Sequence, residues 1–536
     1  MLKRSFKIIM IMLIISLLTA ACTSERVIDD DDLIVQAEKN NVLNLGMDSV
    51  DTLNPILSKS TSVRECMQLI FEPLFTFDEA LNPICVLAES CVMSEDAYSY
   101  VLKIKEGVFW HDGTEMTAKD IQHSINLIRY NDSFYTKTLN AVSSVSYIDK
   151  YTLKLGVSRP VPNFTALLSF PVVQNKATTE VEDYIPIGTG PYMYNDKVSA
   201  GKIELIPNSN WRGNIASIDK VHLNVVKDNQ SLINAFNASS VNVLTSNVMD
   251  LKNNTPRGEN NINDYISNNL VFLGINNSKS EFSGNNTRQA ISYLIDRDGL
   301  VTEEVFSRGV AVKIPINPSA WYNPKSGGDK HEADYIKELL SLDGWILSEN
   351  AYKREKEIYS NGSNTPETVS QTLSASIIVN EGNSERMRIA ERIASELNAF
   401  GIETVVKMVS FDEYQHRIQD KNYTMFIGEI QIPYNMDLHS LVCGDNYFSY
   451  SSQDMDSLIY KLGTANSTEQ IKTLFSEFSV EFLSDSPFVP LFFRKESVIF
   501  EKNISGVSMP TIFTAFREPE NWYITYKKAA DKETEE

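Results

Sequence analysis

An α/β fold with a parallel sheet follows from two observations in this sequence. Strand-like and helix-like periodicities alternate between Ser374 and Gly428, and a half-covered strand near residue 100 runs into an amphipathic helix. In the first stretch Ile377, Ile378 and Val379 read as a strand. Ser384 reads as the N-cap of a helix in which Ile389, Ile393 and Leu397 share a face before Gly401 ends it. A second strand from Ile402 to Val409, a short helix from Phe411 to Gln419 and a third strand from Tyr423 to Ile427 complete a β-α-β-α-β unit. That order implies parallel strands joined by right-handed crossovers. Ligands of such sheets bind beyond the carboxyl ends of the strands, so the following loop, Gly428 to Asp437, is the first ligand-facing candidate.

Size and charge bound the rest. At about 150 residues per domain, 536 residues imply three to four domains or lobes. A hydrophobic fraction of 42% fills cores and excludes disorder as the main state. The 49 basic and 70 acidic residues leave a net charge of −21, with no basic stripe. Such a surface repels phosphate backbones, which excludes nucleic acid as a partner and disfavours polyanions.

Taken in chain order, the start is a basic leader. Lys3, Arg4 and Lys7 precede the apolar run Ile8 to Leu18, too short to span a bilayer and of signal-peptide length. Thr19, Ala20 and Ala21 lead into Cys22, which resembles the acylated cysteine of bacterial lipoproteins, although Thr19 stands where Leu is favoured. Two acyl chains would hold the protein on the cell membrane, facing the extracellular or periplasmic side, where one chain would be marginal. Cleavage before Cys22 would remove three cations and no acid, taking the net charge to −24. The polar stretch 22–40, with Asp29, Asp30, Asp31 and Asp32 in a row, reads as a tether, and order begins near Val42. Cys85 and Cys91 are close enough in sequence to bridge; the alternative is free thiols, as for Cys66 and Cys443.

Tyr100, Leu102 and Ile104 alternate with Val101, Lys103 and Lys105 as a half-buried strand that Gly107 breaks. Val108, Phe109 and Trp110 start another short strand, followed by the turn His111 to Thr114. Thr117 lies three before Asp120 in an N-cap arrangement, and Ile121, Ile125 and Ile128 fall on one helical face. Polar stretches at 250–263, 322–331 and 360–366 read as loops or connections, and the charged end at 526–536 as a frayed tail.

Catalytic constellations are missing from the sequence: no nucleophile elbow, His-Glu-x-x-His, Walker loop or dinucleotide fingerprint occurs, and the six histidines have no metal-site spacing. No cofactor, metal or enzymatic activity is implied.

Several motifs do match a family in its order. They are Leu53-Asn54-Pro55, Phe71-Glu72-Pro73-Leu74, Leu87-Ala88-Glu89-Ser90, Lys105 to Val108, Trp110 to Thr114, Thr117 to Asp120, Gly188 to Tyr192 and Arg288 to Arg297. Through them the chain resembles the family 5 solute-binding proteins of ABC importers, which bind oligopeptides, dipeptides or nickel. The resemblance implies a two-lobed clamshell of the class II periplasmic-binding-protein type with an extra inserted subdomain. One lobe would comprise 41–72, 187–270 and 489–525, with 73–186 inserted, and the other 271–488. It also implies a monomer that closes over its ligand and docks on a permease. The motifs themselves read as mostly structural: Gly107 and Gly113 as turn residues, Trp110 as packing, Gly188 to Tyr192 as a backbone turn, Arg288 and Asp296 as helix-end and surface charge pairs.

Peptide binders of that family hold the ligand ammonium with an Asp shortly after a Gly-Trp in the second lobe. Here Gly428 matches, but Glu429 stands for the Trp, and Ile432 lies where the Asp is expected. Either Glu429 or Asp437 replaces the anchor, or the ligand has no free amino terminus. Glu429 is the better ammonium partner, with Tyr434, Met47 and Asp48 as further cleft candidates. A peptide is the leading ligand; a nickel chelate or an oligosaccharide is the alternative within the fold, and a signalling receptor for peptides the alternative outside transport.

Overall fold

The structure is a computed structural model that describes residues 41–176, 184–195, 203–245, 256–324, 332–358 and 367–525. The leader, Cys22, the tether and the charged tail lie outside these residues, as do the polar stretch 360–366 and parts of the other two.

An 11-stranded sheet runs through the molecule. Its first strand, Val42–Asp48, buries Leu43, Leu45 and Met47 and turns the intervening residues outward. It lies parallel to Lys220–Val226, and Ile203–Pro207 and Tyr192–Tyr194 extend that edge antiparallel. At the far edge Ser374–Asn380 sits between Glu403–Val409 and Met425–Gln431, parallel to both. This is the β-α-β-α-β unit read from periodicity, with Ile389, Ile393 and Leu397 fully buried on its first helix, Ser384–Ala399. Several boundaries differ, the second strand starting at Glu403 and the third at Met425. The N-cap is Asn383, whose side chain accepts from the Arg386 amide, and the third strand continues to Gln431. Gly428 to Gln431 are held as strand because they pair with Asn269 to Phe272, so the expected loop starts at Ile432, four residues later than its sequence suggests.

Two long antiparallel strands, Asn260–Ile275 and Phe488–Glu501, carry the chain between the halves of this sheet. One end packs beside Val243–Thr245, the other beside Met425–Gln431. Between them the register slips from Ile266 to Leu270, where Ser267, Asn268 and Asn269 leave the ladder. Side chains take over there: Ser267 Oγ donates to the Arg494 carbonyl (3.1 Å), and Asn317 Nδ2 donates to Asn268 Oδ1 (2.7 Å). The division expected at residue 270 therefore runs through a continuous strand.

A second sheet of four antiparallel strands, in the order Ala88–Met93, Ser99–Ile104, Thr152–Val157, Val142–Asp149, forms the insertion. Helix Ala118–Tyr130 covers it with Ile121, Ile125 and Ile128, and starts in a capping box between Thr117 and Asp120. The strand expected at Val108 to Trp110 reduces to one bridge, Phe109 to Glu115, because the chain turns at once through Gly113 (φ +80°). The insertion shares one hydrophobic core with the first half, running from Leu45 and Met67 through Trp110 and Ile121 to Tyr192 and Trp522.

The family-like motifs meet at a joint in that core. Gly190 N donates to the Ile70 carbonyl (2.8 Å), His111 N to the Gly188 carbonyl (2.9 Å), and Thr189 Oγ1 to Glu72 (2.8 Å), which also pairs with Arg212. A Cβ on Gly188 would lie 1.9 Å from the Ile70 carbonyl oxygen, so close approach, not φ, requires the glycine. Arg288 departs from the surface reading: it is 2% exposed and donates to the carbonyls of Phe282, Ser283, Asp485 and Ser486. Burial pulls its pKa down to about 10. Asp296 caps the helix Arg297–Glu303 and pairs with Arg392. Cys85 and Cys91 remain free thiols, as do buried Cys66 and Cys443.

Candidate functional site

A cavity of about 230 Å³ lies between the halves, against the long strands. It is assembled from four places. Just past the carboxyl end of the first strand, Ser60 caps helix Thr61–Cys66, and the short turn Met67–Leu69 continues it. Thr61, Arg64, Glu65 and Gln68 recur at helical spacing and line the cavity, while Val63, Cys66 and Met67 enter the core. Tyr265 and Asn269 on one long strand, and Glu496 on the other, form its floor beside the register slip. Gln431 and Tyr434 come from the second half, and Thr511 to Ala515 from the segment that returns to the first.

The charges in it are few and held. Tyr265 Oη donates to Glu496 Oε2 (2.7 Å) and Asn269 Nδ2 to Glu496 Oε1 (3.1 Å), fixing that carboxylate at the crossing of the long strands. Glu65 accepts from Thr245 Oγ1 (2.7 Å). It faces the cavity yet sits in the molecular interior, and that burial, with the Glu496 and Asp48 charges adding to it, raises its pKa from 4.5 to about 7. Arg64 donates to the Ser58 carbonyl (3.0 Å) and Thr61 Oγ1 (2.9 Å), and its guanidinium lies 4.0 Å over the Phe134 ring. It is 8% exposed and makes no ion pair among the described residues. A buried cation beside two half-buried carboxylates, in a chamber reached from both halves, can take a zwitterion by charge-assisted hydrogen bonds.

Two more cavities adjoin. One, about 500 Å³, is largely aromatic and apolar, with Phe77, Met93, Tyr100, Phe164, Trp321 and Tyr434 in its wall. The other, about 260 Å³, is bounded by Phe71, Trp211, Phe516 and several prolines.

The residues singled out from sequence go to different places. Tyr434 lines both the charged and the aromatic cavity, and burial pushes its phenol up to about 12. Glu429 is not in the wall of any of the three. Arg494 takes both of its oxygens (2.6 and 2.9 Å) and also binds Glu385, so Glu429 belongs to an ion-pair network on its own half. Asp437 is gripped by Arg159 of the insertion and accepts from the His439 amide (3.1 Å), which makes it a tie across the cleft. Asn163 Nδ2 to the Asn435 carbonyl (3.2 Å) and Asn435 Nδ2 to the Pro162 carbonyl (3.1 Å) join it. Met47 is fully buried in the core, because the alternation of its strand points it inward. Asp48 accepts from Ser62 Oγ (2.5 Å) and reaches the site only through its field on Glu65. Ile432 is fully buried. Sequence reasoning missed Arg64, Glu65 and Glu496; polar residues at 61, 64, 65 and 68 directly after the first strand were the available signal.

Two lobes on a shared sheet, with a charged cleft against the connecting strands, define a two-lobed solute-binding protein. The profile of the bacterial extracellular solute-binding proteins, family 5 middle, matches residues 82–442, and the chain belongs to that family, whose members serve ABC importers. It is 23% identical to the oligopeptide-binding protein AppA of Bacillus subtilis, over 84% of this chain and 86% of AppA. It is 22% identical to heme-binding protein A of Haemophilus influenzae, over 81% and 84%. The solved structure of a nickel ABC transporter protein from Bacillus halodurans superposes with a TM-score of 0.74 at 16% identity, over 90% of this chain and all of that one. These relatives bear the names of binding and transport proteins.

Proposed function

We propose that this protein captures a short peptide with free termini between its lobes and delivers it to an ABC permease. The observation that carries this is the chamber between the halves that holds Arg64 beside Glu65 and Glu496. In this reading the peptide ammonium meets Glu65 and Glu496, and its carboxylate meets Arg64. The ammonium anchor is thus on the first lobe and the connecting strands, while Glu429 and Asp437 serve structural ion pairs. The lobes divide within 260–275 and 488–501, and Cys22 carries the lipid that holds a monomer at the membrane. AppA, which is named for oligopeptides, supports the ligand class.

Calorimetric titration with one peptide in free, N-acetylated and C-amidated forms tests this. A hydrogen bond to a charged group contributes about 1.5–3 kcal/mol, so each block should weaken binding about tenfold or more. Equal affinity for all three forms would refute the charge assignment.

A further inference from the structure

Phe513 lines all three cavities. It is presented by a tight turn in which Thr511 and Thr514 exchange backbone hydrogen bonds (2.9 and 3.2 Å) and the Thr511 hydroxyl accepts from the Phe513 amide (3.3 Å). Thr514 Oγ1 donates to Gln68 (2.7 Å) on the element that carries Arg64 and Glu65, which fastens the turn to the first lobe. The ring stacks on Phe77 of the insertion, with centroids 4.0 Å apart and planes 20° apart, and meets Tyr434 of the second lobe at 4.8 Å. Three rings from three parts of the chain therefore form one wall. The charged cavity lies on one side of it and the aromatic cavity on another.

A wall of this kind decides how far a ligand anchored at Arg64, Glu65 and Glu496 can extend. A rigid aromatic held by a pinned turn excludes chain at little entropic cost, because it has few rotamers to lose. We infer that Phe513 is the length-selecting residue of the cleft: it confines the anchored peptide to the charged chamber, and removing its ring joins that chamber to the aromatic one. This inference rests on the peptide reading above. It does not follow from that reading, since a cleft with the same anchors and no partition would accept long and short peptides alike.

The test compares wild type, F513A and F513Y for affinity toward a length series of unblocked peptides, from dipeptide to nonapeptide, sharing one amino-terminal sequence. Wild type should favour the short members. F513A should shift the long-to-short affinity ratio toward the long members by about tenfold, the effect of about 1.4 kcal/mol, and F513Y should keep the wild-type ratio. F513L, which retains bulk at the wall, serves if F513A does not fold; it should show a smaller shift in the same direction. An unchanged ratio in a folded F513A or F513L protein that still binds peptide would overturn the inference. If wild type binds no member of the series, the peptide reading has failed and the partition falls with it.

Discussion

Replacing Glu65 by Gln should move stability and ligand affinity in opposite directions. Burial, reinforced by the Glu496 and Asp48 charges and only partly offset by Thr245 and Arg64, raises the Glu65 pKa from 4.5 to about 7. Each unit corresponds to about 1.36 kcal/mol, so the ionised side chain costs the folded state up to about 3 kcal/mol, less where water enters the cavity. The sign follows from the raised value. The cost is absent below the unfolded pKa near 4.5, grows between 4.5 and 7, and is complete above 7. E65Q keeps the Thr245 hydrogen bond and loses the charge. Without ligand it should therefore melt higher than wild type at pH 8 by about 1–3 kcal/mol, and match it at pH 5. Affinity should run the other way, falling about ten- to hundredfold at pH 8 as a charged hydrogen bond is lost. Wild-type affinity should decline as pH falls below 7, because a protonated Glu65 no longer attracts an ammonium, whereas E65Q should be weak and flat in that range. Scanning calorimetry of ligand-free protein from pH 5 to 8 and titration calorimetry over the same range provide both curves. A melting difference that does not change with pH would refute the account, as would unaltered affinity in E65Q.

Further consequences follow from the ties and the joint. R159A removes the partner of Asp437 across the cleft; a partly exposed cross-lobe pair of this kind should cost about 0.5–1.5 kcal/mol of closed state, seen as a ligand off-rate about two- to tenfold faster in stopped flow. G188A places a Cβ against the Ile70 carbonyl and should destabilise the protein by at least about 2 kcal/mol in denaturant melts, while A118G, away from the joint on the insertion helix, should cost only about 1 kcal/mol. C22A should abolish labelling with radioactive palmitate in cells and release the protein from membranes into the soluble fraction.

The fold was legible where local periodicity and burial coincide. Ile389, Ile393 and Leu397, or Ile121, Ile125 and Ile128, sit at 3.6-residue spacing because one face of each helix meets a sheet, and the sequence states that face directly. The extent of the third strand was not legible, since Gly428 and Glu429 are poor strand formers held in place by pairing with Phe272 and Val271, a long-range contact. The site was legible only in part for the same reason. Glu429 and Asp437 lie where a ligand carboxylate belongs along the chain, but Arg494 and Arg159 reach them from 65 and 278 residues away. No local pattern distinguishes a carboxylate that waits for a ligand from one already taken by a distant arginine. Glu65 and Glu496 show the converse: unremarkable in sequence, they are brought to one cavity by the fold, where Thr245 holds the first and Tyr265 and Asn269 hold the second.

Capture requires that ligand favour the closed arrangement over the open one. Shifting a population from 99% open to 99% closed takes about 10⁴-fold preference, near 5.5 kcal/mol. Contacts from one lobe cannot supply it, because they are kept when the cleft opens. Arg64, Glu65 and Gln68 stand on the first lobe and Gln431 and Tyr434 on the second, so a ligand touching both sets gains only on closure. The Arg159–Asp437 pair, the Asn163–Asn435–Pro162 hydrogen bonds and the Phe513–Tyr434 contact also span the cleft, and they act without ligand. They reduce the difference the ligand must provide and raise the fraction of empty protein that closes. Glu65 opposes them: its desolvated charge is costly within the cleft and is offset by a cationic guest. Closure is thereby favoured by ties at the rim and penalised by a desolvated charge inside, and a cationic guest that offsets that charge makes the occupied state the favoured one.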